Sequence, residues 1–130
     1  LFEQAIPAIR QGLKPDVIST DLHTGSMNGG MKSLNNVMSK FLNMGLTIQE
    51  VVAATTSRPA KYIQRKDLGH LSVGAEADVA IHNLRKGNFG FIDVRGKRMK
   101  GNQKLECELT LRAGKVVYDL NGLASLDWDK

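Results

Sequence analysis

Asp21 and His23 lie two residues apart, directly after the β-prone residues 17–20. A carboxylate and an imidazole at the end of a strand could together bind a metal ion or relay a proton. Two simpler interpretations stay open, because Asp-X-His is a weak pattern. Asp21 could cap the turn that follows, and His23 could bond to the backbone of a loop.

The loop that follows contains a second group of candidates. Asn28, Gly29 and Gly30 could present backbone N–H groups to an anionic substrate. The other two histidines, His70 and His82, lie in a predicted turn and a predicted strand. We expect both to be packing or surface residues rather than metal ligands.

The chain lacks the ligands of a complete hydrolytic site. It has no His-X-His, no zinc-spaced Cys/His cluster, no phosphate-binding glycine loop and no nucleophile elbow. Its single cysteine, Cys107, rules out an internal disulfide and predicts a reducing compartment, with the cytoplasm as the default. We expect Cys107 to be an inert apolar residue of a strand.

Hydrophobic periodicity predicts helices in the first half of the chain and strands in the second. Ser33 is a predicted N-cap, Gly45 a helix terminator, and Thr47 with Glu50 a capping box. The predicted helices are residues 2–13, 34–42, 47–55 and 57–63. The predicted strands are residues 16–20, 78–84, 89–94, 97–101, 105–112 and 116–119.

Strand 16–20 indicates that the chain is a piece of something longer. A buried strand needs hydrogen-bonding neighbours on both edges, and no other strand is predicted before residue 70. The chain also begins with Leu1, inside a predicted helix. We expect an α/β part (residues 1–65), an all-β part (66–120) and a polar tail (121–130), with the partners of the first strand in missing sequence or another chain.

The net charge of +5 is concentrated in residues 85–104, where seven Lys and Arg residues accompany Asp93 alone. One interpretation is a nucleic-acid contact with Phe89 and Phe91 stacking on bases, which would make the chain a freestanding basic module that binds nucleic acid or an acidic partner. The other is a solvated hairpin whose lysines discourage edge-to-edge association. We favour the hairpin, because no known nucleic-acid-binding motif accompanies the charge.

Three segments are similar to a known family. "PDVISTDLHTGSMNG", "MSKFLNMGLTIQEVVAATTSRPAKYI" and "LGHLSVGAEADVAI" resemble the carboxyl-terminal part of metal-dependent hydrolases of the amidohydrolase superfamily, in its dihydroorotase-like amidohydrolase/deacetylase branch. The resemblance implies an α/β fold, with the carboxyl-terminal piece of a distorted (β/α)8 (TIM) barrel followed by part of a small β-sandwich domain. Strand 16–20 would be the eighth strand of that barrel.

The resemblance also implies a hydrolysis of C–N bonds. Asp21 would contact a divalent metal, one or two zinc ions, and would take the proton from the hydrolytic water. His23, Asn28, Gly29 and Gly30 would contact a small-molecule amide or cyclic amide, for example an N-acetyl compound. The remaining metal ligands, a His-X-His, a bridging Lys or Glu and two histidines, belong to earlier barrel strands.

The partners implied by the resemblance follow from this incomplete site. The missing amino-terminal part of the same enzyme would supply metal ligands and further sandwich strands, and a second copy could form a homo-oligomer. No apolar run is long enough to span a membrane, and we expect neither a membrane nor a nucleic-acid partner.

Overall fold

The computed structural model describes residues 1–27 and 29–130. Within them, helices precede strands in the order α1 (Phe2–Arg10), α2 (Leu34–Met44), α3 (Ile48–Thr55), α4 (Ser57–Tyr62), β1 (Val79–Ile92), β2 (Arg98–Arg112) and β3 (Lys115–Asp119). The strands form one antiparallel sheet in the order β1-β2-β3. The chain is thus a small α/β piece, with helices in its first half and strands in its second half, as the sequence predicts.

The sheet has fewer and longer strands than predicted. The predicted strands 78–84 and 89–94 are both part of β1, and 97–101 and 105–112 are both part of β2. The pairing of β1 with β2 shifts register between Lys86 and Phe89, so Gly87 and Asn88 are accommodated as an irregularity within the strand. Gly87 and Asn88, which the sequence places in a turn, therefore form a bulge within a long hairpin.

The predicted strand 16–20 does not pair with any strand that the structure describes. Residues 17–20 have no regular secondary structure, and the described part of the sheet contains residues 79–119 only. The N–H of Ile18 donates to the C=O of Ala54 near the end of α3 (2.8 Å), and the Ile18 side chain is 5% exposed. Because a strand requires a neighbouring strand to accept its hydrogen bonds, the segment packs on a helix instead.

Helix α2 begins and ends where its capping residues predict. The hydroxyl of Ser33 accepts a hydrogen bond from the N–H of Asn36 (3.2 Å), and Gly45 ends the helix with a φ of +116°. The buried surface is wider than the predicted apolar stripe, since Ser39 and Lys40 are also buried. Both polar residues therefore need partners inside the fold.

Two polar side chains of α2 bond to the backbone of β2. The hydroxyl of Ser39 accepts from the N–H of Leu105 (2.9 Å). The Asn43 amide donates to the C=O of Gln103 (2.8 Å) and accepts from the N–H of Asn102 (2.9 Å). The helix therefore satisfies backbone groups of the sheet and fixes its position against β2.

Helix α3 confirms the predicted capping box. The Thr47 hydroxyl accepts from the N–H of Glu50, and the Glu50 carboxylate accepts from the N–H of Thr47 (2.8 Å). The ammonium of Lys14 also bonds to this carboxylate. The hydrogen bonds from Lys14 and Thr47 lower the pKa of Glu50 to about 2, so the cap stays ionised at neutral pH.

Helices and sheet share two hydrophobic clusters, and α2 contributes to both. The first cluster contains Ile18, Val37, Met38, Leu42, Leu46, Val51, Ala54 and Leu105. The second contains Phe2, Met44 and Phe91. Among the residues that the structure describes, every helix is too short or too polar to cross a membrane.

Candidate functional site

Asp21 has an unusual backbone conformation shortly before the turn of residues 24–27. Its φ is +48°, a left-handed conformation that aspartate tolerates better than most side chains. Its carbonyl oxygen accepts hydrogen bonds from the ring Nδ1 of His23 (2.8 Å) and from the hydroxyl of Ser26 (3.0 Å). The turn after Asp21 is thus held through the backbone of Asp21, and its carboxylate is left exposed to solvent.

The hydrogen bond to Asp21 determines which ring nitrogen of His23 carries a proton. A carbonyl oxygen can only accept, so Nδ1 is the donor and the neutral ring has its lone pair on Nε2. A Cβ at Gly25 would lie 3.2 Å from Nε2, so the absence of a side chain there leaves room beside this nitrogen. The exposed Nε2 of His23 can accept a proton or a hydrogen bond from a ligand.

Ser26 and the glycines complete the turn. The N–H groups of Ser26 and Met27 donate to the C=O of His23 (3.0 and 3.1 Å), and the N–H of Gly29 donates to the C=O of Ser26 (3.0 Å). The Gly29 amide is therefore used within the turn, although the residue is exposed. Asn28 lies outside the described residues, and its predicted contact with substrate stays a prediction.

Gly30 lies at the buried end of this loop. A Cβ on Gly30 would lie 2.4 Å from the carbonyl oxygen of Asp93 and 2.5 Å from that of Ile92, so only glycine fits there. The ammonium of Lys40 donates to the carbonyl oxygen of Gly30 (2.5 Å). Of the loop candidates, Gly30 is thus placed in the interior and not at the exposed face.

Lys40 and Asp93 are buried charges that the sequence interpretation did not select. Burial lowers the pKa of Lys40, and the attraction of Asp93 opposes this shift. Burial alone would raise the pKa of Asp93, but N–H donors from Lys97, Phe2 and Arg95 outweigh it and lower that pKa. Two sequence features could have identified these residues. Lys40 lies beside the apolar stripe of α2, and Asp93 is the lone acid of the basic residues 85–104.

His70, His82 and Cys107 line a separate cleft of about 540 Å³ between the helices and β1. The ring of His82 bonds through Nε2 to the side-chain oxygen of Asn35 (2.9 Å), and burial lowers the pKa of His82. The ring of His70 bonds through Nε2 to the C=O of Lys66 (2.9 Å). His82 is thus a partly buried packing residue and His70 a surface residue, and the cleft lining does not include Asp21.

The described residues do not bring together three or more His, Cys, Asp or Glu side chains that could hold a metal ion. The chemistry of Asp21 still fits one ligand position, because an exposed carboxylate is an oxygen donor that divalent cations accept. Within residues 1–27 and 29–130, the hydrogen bonds at Asp21 use its carbonyl and not its carboxylate. Asp21 can therefore contribute one ligand to a site completed by other residues.

Most of the chain matches known proteins in sequence and in structure. The model of the amidohydrolase family matches residues 8–118. A deacetylase of Brucella anthropi is 37% identical over 105 residues, which are 81% of this chain and 26% of that relative. Solved structures of an adenine deaminase (TM-score 0.86, 26% identical) and a dihydroorotase (TM-score 0.84, 31% identical) each match 92% of this chain and 33% of their own. The chain spans at most a third of the length of these relatives.

Proposed function

Because the chain belongs to the amidohydrolase family, we propose that a longer enzyme containing it hydrolyses a C–N bond of a small amide or cyclic amide, for example an N-acetyl group. One observation carries the assignment to this chain. Asp21 presents an exposed carboxylate and has a left-handed backbone conformation, while its own carbonyl holds the turn that follows. The relatives named deacetylase and dihydroorotase support this class of bond.

We propose Asp21 as general base and as one ligand of a divalent metal, zinc, whose other ligands belong to parts of the enzyme outside these residues. The metal would supply Lewis acidity to the reacting water and carbonyl group. The Asp21 carboxylate accepts a proton from the water as its oxygen bonds to the amide carbon. The same proton then passes from Asp21 to the leaving nitrogen as the C–N bond breaks.

His23 is our candidate for contact with the substrate. Its Nδ1–H is committed to the carbonyl of Asp21, so its Nε2 is the atom that can accept a hydrogen bond from a substrate N–H or O–H. Because the same bond ties the ring to the backbone of Asp21, the imidazole stays close to that residue. In this proposal Gly29 leaves space at the exposed face, and Gly30 fixes the end of the loop.

We also propose that residues 1–65 complete a distorted (β/α)8 barrel in the longer enzyme, with residues 66–120 as part of a sandwich domain. There, residues 16–20 would pair as the eighth strand with strands that this chain does not contain. The likeness to the adenine deaminase and dihydroorotase structures supports this architecture. The burial of Ile18 against α3 is compatible with a strand covered by helices.

The proposed function predicts a metal-dependent hydrolysis. The full-length enzyme, tested on a panel of N-acetyl amino acids and cyclic amides, is expected to release the amine or open the ring. Removal of metal with a chelator should lower turnover at least about 10²-fold, and added zinc should restore it. Undiminished turnover in protein shown to be metal-free would contradict the mechanism.

The structure favours a solvated hairpin over a nucleic-acid contact for residues 85–104. Phe91 is 3% exposed and belongs to the second hydrophobic cluster, so the base-stacking role considered for it is wrong. Arg85 and Lys104 both lie beside the carboxylate of Glu106 (3.0 and 3.7 Å), which partly neutralises them. Phe89, the other predicted stacking residue, is partly buried and packs against the same cluster. The excess charge is therefore spread along an exposed hairpin whose two aromatic residues pack on the fold.

Neutralising the hairpin is expected to leave catalysis unchanged. The triple variant Lys97→Gln, Arg98→Gln and Lys100→Gln keeps the backbone N–H of Lys97 that bonds to Asp93, so the turn should be preserved. We expect kcat and KM of the full-length enzyme within about twofold of the unaltered values, measured by steady-state kinetics. Loss of activity, or RNA binding with a steep salt dependence in the unaltered protein, would favour a basic binding module instead.

A further inference from the structure

The loop after Asp21 is anchored at its far end by contacts that the proposed mechanism does not use. Gly30 is buried and packs directly on the backbone of Ile92 and Asp93, at the end of β1. This close packing joins the loop to a hairpin whose contacting residues, Ile92 and Asp93, follow Gly30 by 62 and 63 positions in the sequence. At the near end, the loop is held by the carbonyl of Asp21. The candidate site therefore lies between two anchors.

Lys40 supplies the charged contact of the far anchor. Its side chain is 8% exposed, and its ammonium donates to the carbonyl oxygen of Gly30 (2.5 Å). Lysine is seldom buried, because removing an ammonium from water is unfavourable unless strong hydrogen bonds replace the lost hydration. A bond between a buried ammonium and one loop carbonyl is thus a specific constraint on where the loop lies.

Asp93 stabilises the charge of Lys40 and connects the anchor to two further elements. Its carboxylate accepts hydrogen bonds from the N–H groups of Arg95 and Lys97 (2.9 Å each) and of Phe2 (3.2 Å). Its attraction raises the pKa of Lys40 against the effect of burial. The hairpin turn and the start of α1 thus meet the loop and α2 at one buried polar cluster.

We propose that Lys40 is a positioning residue, which holds the described loop residues 22–27 and 29–30 so that His23 faces the substrate beside Asp21. The inference rests on the proposed function for the role of His23, but the contact of Lys40 with the loop can be tested without any catalysis. A residue that only supported the core would contact core side chains. Lys40 instead directs its ammonium to a backbone atom of the loop that carries the candidate site.

Hydrogen exchange in the full-length protein tests the anchor directly. Lys40→Met keeps the apolar stem and removes the charge and the donor, so the loop should open more often. We expect the amides of Ser26, Met27 and Gly29, which are bonded within the turn, to exchange at least about tenfold faster, and those of α3 to stay unchanged. Lys14→Met is the matched control, because Lys14 bonds to Glu50 and not to the loop.

Steady-state kinetics tests the consequence for the site. Lys40→Met should raise KM about tenfold and change kcat less than about threefold, because a displaced loop loses the substrate contact while Asp21 remains. His23→Asn should also raise KM. If both act through one loop, the double variant should raise KM by much less than the product of the two single effects.

The results separate the possible roles of Lys40. Unchanged loop exchange in Lys40→Met, or a KM that rises in the double variant by the full product, would overturn the positioning role. If Lys40→Met does not fold, Lys40→Gln, which keeps a shorter N–H donor, should give an intermediate increase in loop exchange. The same loop exchange in Lys40→Gln as in the unaltered protein, together with a lower melting temperature, would mean a structural role alone.

These readouts also distinguish this inference from the proposed function. Faster loop exchange in a protein that hydrolyses no amide would leave the anchor intact and reject the amidohydrolysis. Hydrolysis that depends on Asp21 but not on Lys40, with unchanged loop exchange, would support the amidohydrolysis and reject the anchor.

Discussion

Replacing Asp21 by asparagine in the full-length enzyme is expected to lower kcat at least about 10²-fold, the lower end of general-base contributions, with a smaller change in KM. Asparagine has nearly the same size but accepts a proton very poorly. The backbone contacts of the turn use the carbonyl of Asp21 and not its side chain, so the fold of the loop should persist. Steady-state kinetics combined with metal analysis of the purified variant measures both effects.

Two controls make this result specific. Asp16→Asn changes another exposed aspartate of the same segment and should leave kcat unchanged. His23→Asn should act more on KM than on kcat, since we assign that ring to substrate contact. Most of the metal should remain in Asp21→Asn, because its other ligands are expected elsewhere. Near-normal turnover in metal-loaded Asp21→Asn would rule out the general-base role.

The 130-residue chain produced alone is expected to be poorly stable and to bind a hydrophobic dye. Large apolar side chains are exposed on both parts of its surface, for example Tyr62 (71%), Leu71 (78%) and Leu126 (85%). Residues 16–20 also lack a neighbouring strand in the described part of the chain. Such a surface favours self-association and a broad thermal transition over cooperative unfolding.

The longer enzyme provides the comparison for this experiment. If its other parts cover these apolar residues, it should bind much less dye per chain and unfold at a higher temperature. A sharp two-state melt of the 130-residue chain as a monomer, without dye binding, would contradict the proposal that it is part of a larger barrel.

Local features of this protein follow from its sequence alone. The N-cap of α2 at Ser33, its terminator Gly45 and the Thr47/Glu50 capping box are all present in the structure. Each depends on residues within four positions of one another, so the chain determines them before it folds. The same holds for the core of the site, because Asp21 and His23 are near neighbours and any turn there brings them together.

Local sequence patterns did not predict the features that depend on residues distant in the sequence. Residues 16–20 have the composition of a strand, yet a strand exists only where another chain segment accepts its hydrogen bonds. The predicted short strands merged into β1 and β2 because pairing across the hairpin tolerates bulges at glycine and asparagine. Composition identifies a residue that fits a strand but not the neighbour that makes it one.

The anchor of the site was decided by tertiary structure alone. Lys40 has the sequence appearance of an exposed helix residue, and Asp93 that of a solvated acid in a basic segment. Their burial arises because Gly30 lets the loop pack on the backbone at Asp93, which leaves the carbonyl of Gly30 within reach of Lys40. No local rule relates these positions, since 53 residues separate Lys40 from Asp93. The sequence alone thus determined which residues are candidates for the chemistry, and only the packing of distant segments decided what holds them in place.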